Sequence, residues 1–175
     1  MSTHQPAEDR IWHVDKDDIP VGDGWQIRNG EKNWQNFRVV NAFVRNTHGD
    51  IWIPRRGPHK RIFPDCLDTS MGGHVDWPET YEQAFARELM EELNLDAERV
   101  SSTFLGHFTP RDYPTLSASM KVWEIEMNEA PNYNPDDFTE FFWFSPAELH
   151  RRLIADDKAK GDLKALVEIL YAPHL

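Results

Sequence analysis

GHVDWPETYEQAFARELMEELNL, residues 73–95, places a helix start, an amphipathic helix and a dense group of carboxylates in one stretch. Thr80 with Gln83 three residues on is a capping-box pattern, so a helix is expected to begin at Thr80. Phe85, Ala86, Leu89 and Leu93 give it an apolar side that can pack on a sheet. At about 100° per residue, Glu88 and Glu92 stack on one face and Glu91 lies beside them. Three carboxylates that close repel one another unless a cation sits between them. Hard divalent ions such as magnesium take oxygen ligands of this kind and bridge them to phosphates. The competing reading is a solvated acidic helix face, the ordinary meaning of a charge run.

On the N-terminal side, residues 67–75 form an extended segment through Gly72-Gly73, preceded by the densely basic residues 55–64, RRGPHKRIFP. Residues 37–45 (FRVVNAFVR) and 50–54 (DIWIP) are rich in β-branched and aromatic side chains. Asn46-Thr47-His48-Gly49 between them is a good hairpin turn. On the C-terminal side, residues 101–108, 117–127 and 141–144 read as strands. Ser145-Pro146 opens a helix to about residue 153, and Leu163, Leu166, Val167 and Leu170 mark a last helix by their spacing. Strands interleaved with helices give an α/β or α+β sandwich. Residues 1–10 are polar and expected to be mobile. Residues 11–36, with a short strand at 11–14, are expected to form an extension packing on the core, and 37–175 make the main domain.

The 175 residues are 39% hydrophobic and 12% aromatic, enough for one globular domain with a real core. A formal net charge of −11 argues against a nucleic-acid polymer as partner, because little would neutralise a long phosphate backbone. It leaves room for a small phosphorylated substrate. Against that acidic background Arg55, Arg56, Lys60 and Arg61 share one short loop, a local reversal of sign that suggests anion binding. A loop that balances neighbouring acids is the alternative. Cys66 stands alone, so no intramolecular disulfide is expected and a reducing compartment fits. No apolar run approaches a membrane span and the N-terminus lacks a signal-peptide pattern, so a cytoplasmic protein is expected. Oligomeric state is not encoded legibly; a homodimer is the commonest state for a small soluble enzyme.

Gly73, Glu79, Arg87, Glu88, Leu89, Glu91, Glu92 and Leu95 also stand in the register of a known signature. That signature is a Gly, five residues, a Glu, seven residues, then Arg-Glu-apolar-x-Glu-Glu-x-Gly-apolar, and the chain resembles the Nudix hydrolase superfamily through it. Asn94 replaces the last Gly, and Asn tolerates the left-handed conformation that ends a helix. The resemblance implies a mixed sheet between helical layers. It also implies hydrolysis, with magnesium or manganese, of a phosphoanhydride bond in a nucleoside di- or triphosphate or a related nucleoside diphosphate derivative. Glu88, Glu91 and Glu92 would hold the metal, joined by a backbone carbonyl at Gly72 or Gly73. Arg87 would orient carboxylates, with Glu79 as its ion-pair partner. Family members often take a catalytic Glu from a late loop, which makes Glu140, just before the expected strand at 141–144, the candidate base beside Glu91 and Glu92. Arg56 and Lys60, with Arg55 adjacent, are candidates for the distal phosphate. His74 is a candidate for metal or substrate contact or a structural hydrogen bond. Phe63, Trp77 and Tyr113 are aromatics for base stacking or for the core.

Trp52-Ile53-Pro54-Arg55-Arg56, Phe63-Pro64 and Asp68-Thr69-Ser70-Met71-Gly72-Gly73-His74 are similar to the branch of the superfamily that includes isopentenyl-diphosphate isomerase. Those isomerases carry a catalytic Cys where this chain has Gly72, and Cys66 does not align with it. Leu116 and Ala118 fall where they carry a Glu-x-Glu pair. Without thiol and carboxylates the isomerase chemistry has no acid–base pair, so hydrolysis is expected. Isoprenoid and other non-nucleotide diphosphates stay open as substrates. A binding module that senses a phosphorylated metabolite is the reading from another class; such modules usually lose signature carboxylates that this chain keeps.

Overall fold

The structure, a computed structural model, describes residues 10–22, 25–26 and 36–175. The segment expected to be mobile lies outside the described residues except for Arg10, as does much of the expected extension at 11–36. Two short strands, β1 (Arg10–Ile11) and β2 (Trp25–Gln26), pair antiparallel. They are followed by β3 (Arg38–Arg45), β4 (Ile51–Arg56), β5 (Met71–His74) and helix α1 (Tyr81–Leu93). Strands β6 (Ser102–Phe108), β7 (Ser119–Glu126) and β8 (Phe138–Phe144) then precede α2 (Pro146–Ile154) and α3 (Leu163–Tyr171).

The main sheet runs β6-β7-β3-β4-β8, with β5 also paired to β3. β3 and β7 are parallel and the other pairs antiparallel, so the sheet is mixed as expected. Alternation along the strands sends side chains to two cores. Val40, Ala42, Val44 and Trp52 pack with Phe85, Leu89 and Leu93 of α1. Phe43, Ile51, Ile53 and Phe144 pack with Leu149, Leu153, Leu166 and Val167 of α2 and α3. The result is an α/β/α sandwich.

A split in the sheet positions the site. β4 pairs with β3 only at Val44–Trp52 and Arg45–Ile51, beside the hairpin turn. Farther along, β5 takes its place, pairing Val39 to Ala42 of β3 with His74 to Met71. Ser70 bridges the point of divergence: its hydroxyl accepts from Val44 N at 2.8 Å and donates to Trp52 O at 2.5 Å. The chain leading into β5 stays with β4, where Arg56 N donates to Cys66 O and Asp68 N to Pro54 O. Asp68, Thr69 and Ser70 are therefore buried polar residues between the two strands.

Four sequence expectations need correction, and in the first the short strand expected at 11–14 is β1 at Arg10–Ile11, with His13 and Val14 only in isolated bridges. The extended segment 67–75 is a ladder only from Met71; Leu67 makes isolated bridges to Arg55 and Ala159 instead. The strand expected at 141–144 begins at Phe138, because β4 continues to Arg56 and offers it partners that the polar Thr139 and Glu140 do not advertise. On α1, Ala84 is buried and Ala86 is exposed. Tyr81 and Glu92 belong to the buried face, which turns it toward Ala84.

Residues 10–22 lie against the sheet and α1. Ile11 is fully buried, and Trp12 Nε1 donates to Glu79 O at 2.7 Å. Asp18 accepts from Arg38 Nε at 2.7 Å and from the Tyr81 hydroxyl at 3.0 Å, and lies 2.9 Å from His107 Nε2. Burial pushes the Asp18 carboxyl up, but His107, Arg38 and Tyr81 outweigh it and leave it below the ordinary carboxylate value. Asp18→Asn strips the half-buried Arg38 of its counter-charge and is expected to cost about 3 kcal/mol at pH 7. Because folding lowers this pKa, the contribution is complete above the unfolded value of about 3.9 and is lost as pH falls through the folded one. Urea unfolding of both proteins between pH 3 and 7 reads it: the gap should close in acid. A change at pH 7 of only about 0.5 kcal/mol, an ordinary surface value, would show that the cluster carries no stability.

Candidate active site

The cap anticipated at Thr80 forms in both directions, Gln83 N to Thr80 Oγ1 at 3.2 Å and Thr80 N to Gln83 Oε1 at 2.9 Å. The other end closes on Asn94, left-handed at φ 53° and ψ 37°, with Leu95 N donating back to Leu89 O. This is the turn that a Gly at C′ ordinarily makes. The two caps fix the rotation of α1 and with it the directions of its acids.

Glu92 lies two turns beyond Phe85, inside the apolar face, and is 8% exposed. Gly72 N donates to its Oε2 at 3.0 Å. Burial, then the charges of Glu88 and Asp68, drive its carboxyl well above the ordinary range, against the Gly72 hydrogen bond and the charge of Lys160. Glu88 sits one turn earlier, against Gly73. A Cβ on Gly73 would overlap the Glu88 carboxylate, so only glycine lets this acid approach β5. Burial raises Glu88 too, opposed by the hydrogen bond and charge of Arg87. Glu91 is turned outward, its side chain 57% exposed.

Arg87 organises this set. Nε and Nη2 form a fork on Glu79 at 2.8 and 2.9 Å. Nη1 reaches Glu88 at 2.7 Å and Glu91 at 3.3 Å, and Nη2 also donates to His74 O at 3.0 Å. The expected Arg87–Glu79 pair is thus present in bidentate form, and its hydrogen bond is the main cause of the lowered Glu79 pKa. An ammonium cannot reproduce that fan of donors. Arg87→Lys is expected to weaken Mn²⁺ binding about 10- to 100-fold, as loss of an orienting partner does at metal sites. Titration followed by electron paramagnetic resonance measures it; unchanged affinity would show that Glu88 needs no such support.

The remaining candidates are distributed around the split. His74 is packed against Phe37, ring centroids 5.3 Å apart. Burial, with the charges of Lys160 and Arg87, holds its pKa down to about 4, so the ring is neutral at pH 7. Arg56 Nη1 donates to Asp68 Oδ2 at 2.7 Å. Lys60 pairs with Asp137. Arg55 Nε donates to Glu140 Oε1 at 2.5 Å, directly across the β4–β8 ladder, with its guanidinium over the Phe142 ring. Ile51 and Ile53 of β4, and Phe142 and Phe144 of β8, pack on the α2/α3 side, and Arg55 and Glu140 share their alternation. Glu140 therefore belongs to the sheet face opposite α1. Three cations of the basic loop each meet a carboxylate. Phe63 and Trp77 are exposed, whereas Tyr113 packs on Phe108 in the α3-side core.

Sequence reasoning passed over Asp68, Asn41 and Lys160. Asp68 is 1% exposed and receives both Arg56 and, at 3.2 Å, Lys160 Nζ. Asn41 Oδ1 and Lys160 Nζ occupy the space that a side chain on Gly72 would need. The polar run Asp68-Thr69-Ser70 inside an extended segment was a usable signal for the first. Nothing local marks Lys160, which is more than 80 residues away in the chain.

A mixed sheet between helices, with a carboxylate helix packed against a glycine pair, defines the class: an α/β/α domain with an acidic site at a split sheet. Residues 35–166 match the NUDIX domain family, and the chain belongs to it. It is 50% identical over 159 residues to an uncharacterized Nudix hydrolase of Nostoc sp., covering 91% of this chain and 94% of that protein. A crystal structure of a Deinococcus radiodurans protein superposes with a TM-score of 0.86 at 43% identity, over 93% of this chain and 99% of that one. An isopentenyl-diphosphate Δ-isomerase of Paenarthrobacter aurescens is 29% identical over 115 residues, 63% of this chain and 62% of that protein. The protein is accordingly an enzyme of the Nudix hydrolase type. Nudix enzymes generally use divalent metal ions and act on small-molecule substrates. Among the described residues no helix is long and apolar enough to cross a membrane.

Proposed function

We propose that this enzyme is a magnesium- or manganese-dependent hydrolase of the phosphoanhydride bond in a nucleoside di- or triphosphate or a related nucleoside diphosphate derivative, acting in the cytoplasm. The observation that carries the reading is the convergence of Glu88 and Glu92 on the Gly72–Gly73 backbone, with Arg87 holding Glu88 in place.

Among the described residues no three His, Cys, Asp or Glu side chains form a ready cluster for an ion. The donors are nonetheless of the fitting kind. Glu92 is buried and Glu88 half-buried, their charges repel, and hard oxygen donors from two carboxylates and adjacent backbone suit a divalent cation that keeps positions for water and phosphate. Glu88, Glu92 and the Gly73 carbonyl would hold it, with Glu91 at the outer edge. When bound, such an ion neutralises phosphate charge and activates water. The chain's own part is positional: Arg87 and Gly73 fix Glu88, Gly72 N fixes Glu92, and Arg56 and Lys60, each shared with an acid, are the loop cations that an outer phosphate would recruit. The exposed Glu91, held by a long 3.3 Å contact from Arg87, is the better placed to accept the proton of the attacking water, while Glu140 is tied to Arg55 at 2.5 Å on the opposite sheet face.

Likeness to isomerases keeps isoprenoid diphosphates among the substrates to be tested. Isomerisation itself lacks support: Gly72 has no side chain, Asn41 and Lys160 fill the space beside it, and Leu116 and Ala118 are buried in the core. The test is a panel of nucleoside di- and triphosphates with isopentenyl and geranyl diphosphate, incubated with Mg²⁺ or Mn²⁺ while phosphate and pyrophosphate release are measured. Release by the wild type but not by Glu92→Gln supports hydrolysis. No release above that control on any compound favours a sensor, and dimethylallyl diphosphate formed without release would restore the isomerase.

A further inference from the structure

We propose that Lys160 is a further substrate-binding residue, its ammonium holding a phosphate oxygen at the mouth of the split between β4 and β5. The inference rests on the hydrolase reading above and adds a cation that no signature motif contains.

Lys160 is placed by backbone. Leu67 N donates to Lys158 O at 2.7 Å and Lys160 N to Leu67 O at 2.8 Å, a parallel bridge that carries residues 158–160 alongside the strand entering the site. Lys160 O then accepts from Leu163 N at the start of α3. Its side chain points inward, Nζ 3.2 Å from Asp68 Oδ1 and 3.3 Å from where a Gly72 Cβ would stand. Gly72 is the residue whose N–H holds Glu92, so the ammonium lies beside the proposed metal acids.

Charge balance points the same way. Asp68 is buried and already has Arg56 as a close partner at 2.7 Å. With Glu92 committed to the metal, Arg56 and Lys160 face one carboxylate and leave one positive charge in excess. A phosphate bridged to that metal supplies the missing anion. The lysine side chain is 27% exposed, so the residue lies at the edge of the split and not in the core. The ring of Phe63, itself exposed, lies 3.7 Å from where a Gly161 Cβ would stand, which brings the basic loop and the Lys160 segment to the same mouth.

The probe is inorganic pyrophosphate, with and without Mg²⁺. By calorimetry, Lys160→Gln is expected to bind it about 10- to 100-fold more weakly than wild type, the worth of one charged hydrogen bond, and Lys160→Arg to recover most of the loss. On any substrate turned over, Lys160→Gln should raise KM more than it lowers kcat. A purely structural lysine would instead lower the unfolding midpoint and leave pyrophosphate affinity unchanged. Should Lys160→Gln fail to fold, acylation of the native wild-type protein by an N-hydroxysuccinimide ester, read by mass spectrometry, still decides: magnesium pyrophosphate should protect Lys160. Unaltered binding in the variant, no protection, or no pyrophosphate binding by the wild type overturns the proposal. Lys160-dependent pyrophosphate binding without turnover of any compound would keep the site and remove the hydrolase reading; turnover indifferent to Lys160 would do the reverse.

Discussion

Glu92→Gln is expected to lower turnover about 100-fold or more while raising the stability of the metal-free protein by about 1 kcal/mol. The two effects have one cause. Glu92 occupies an apolar-face position of α1, two turns after Phe85, where a carboxylate is costly. Glu88 and Asp68 add repulsion, and together with burial they push its pKa well up. An amide keeps the oxygen that accepts from Gly72 N, removes the charge, and gains an NH₂ that can donate to those neighbouring acids. What it gives up is a full negative charge for a divalent ion. Phosphate release with Mg²⁺ and thermal unfolding in EDTA measure the two sides. A variant of near-normal rate would remove Glu92 from the metal site. One that lost stability along with activity would make it a structural residue.

Gly73→Ala should bring turnover down by about 100-fold with a smaller stability loss of about 1–2 kcal/mol. β5 cannot retreat from α1 without breaking its ladder to Val40, so the new methyl must displace the Glu88 carboxylate. That carboxylate is the far end of a flexible side chain, which keeps the stability cost modest. It is also pinned by Arg87 at 2.7 Å, so moving it breaks that contact and shifts a proposed metal ligand by about the methyl's own width. Steady-state rates, with circular dichroism to confirm the fold, decide the point. Wild-type turnover would mean that Glu88 works equally well from a second rotamer.

Both predictions concern residues that the sequence named, and the reason they were legible is local. Helix caps, periodicity and a fixed-spacing motif act over fewer than 25 residues, and Thr80, Gln83 and Asn94 cap α1 as their chemistry requires. The fold class followed from the order of elements. Glu140 shows where local reading stops. Phe138, Thr139 and Glu140 look like the end of a loop, yet β4 runs on to Arg56 and pulls them into the ladder, where Glu140 meets Arg55. A strand's length is set by its partner as much as by its own residues.

By itself, then, the sequence determined the acidic helix, its caps, the signature glycine ahead of it and the reaction family that the signature denotes. Only the tertiary structure decided which acids are buried together, that Arg87 binds Glu79, Glu88 and Glu91 at once, and that Asp68 and Lys160 join them. Those contacts depend on where β4 parts from β3 and where residues 158–160 return beside Leu67. Separations of that length carry no periodicity to read, because they are fixed by the packing of a whole sheet and not by the turn of one helix.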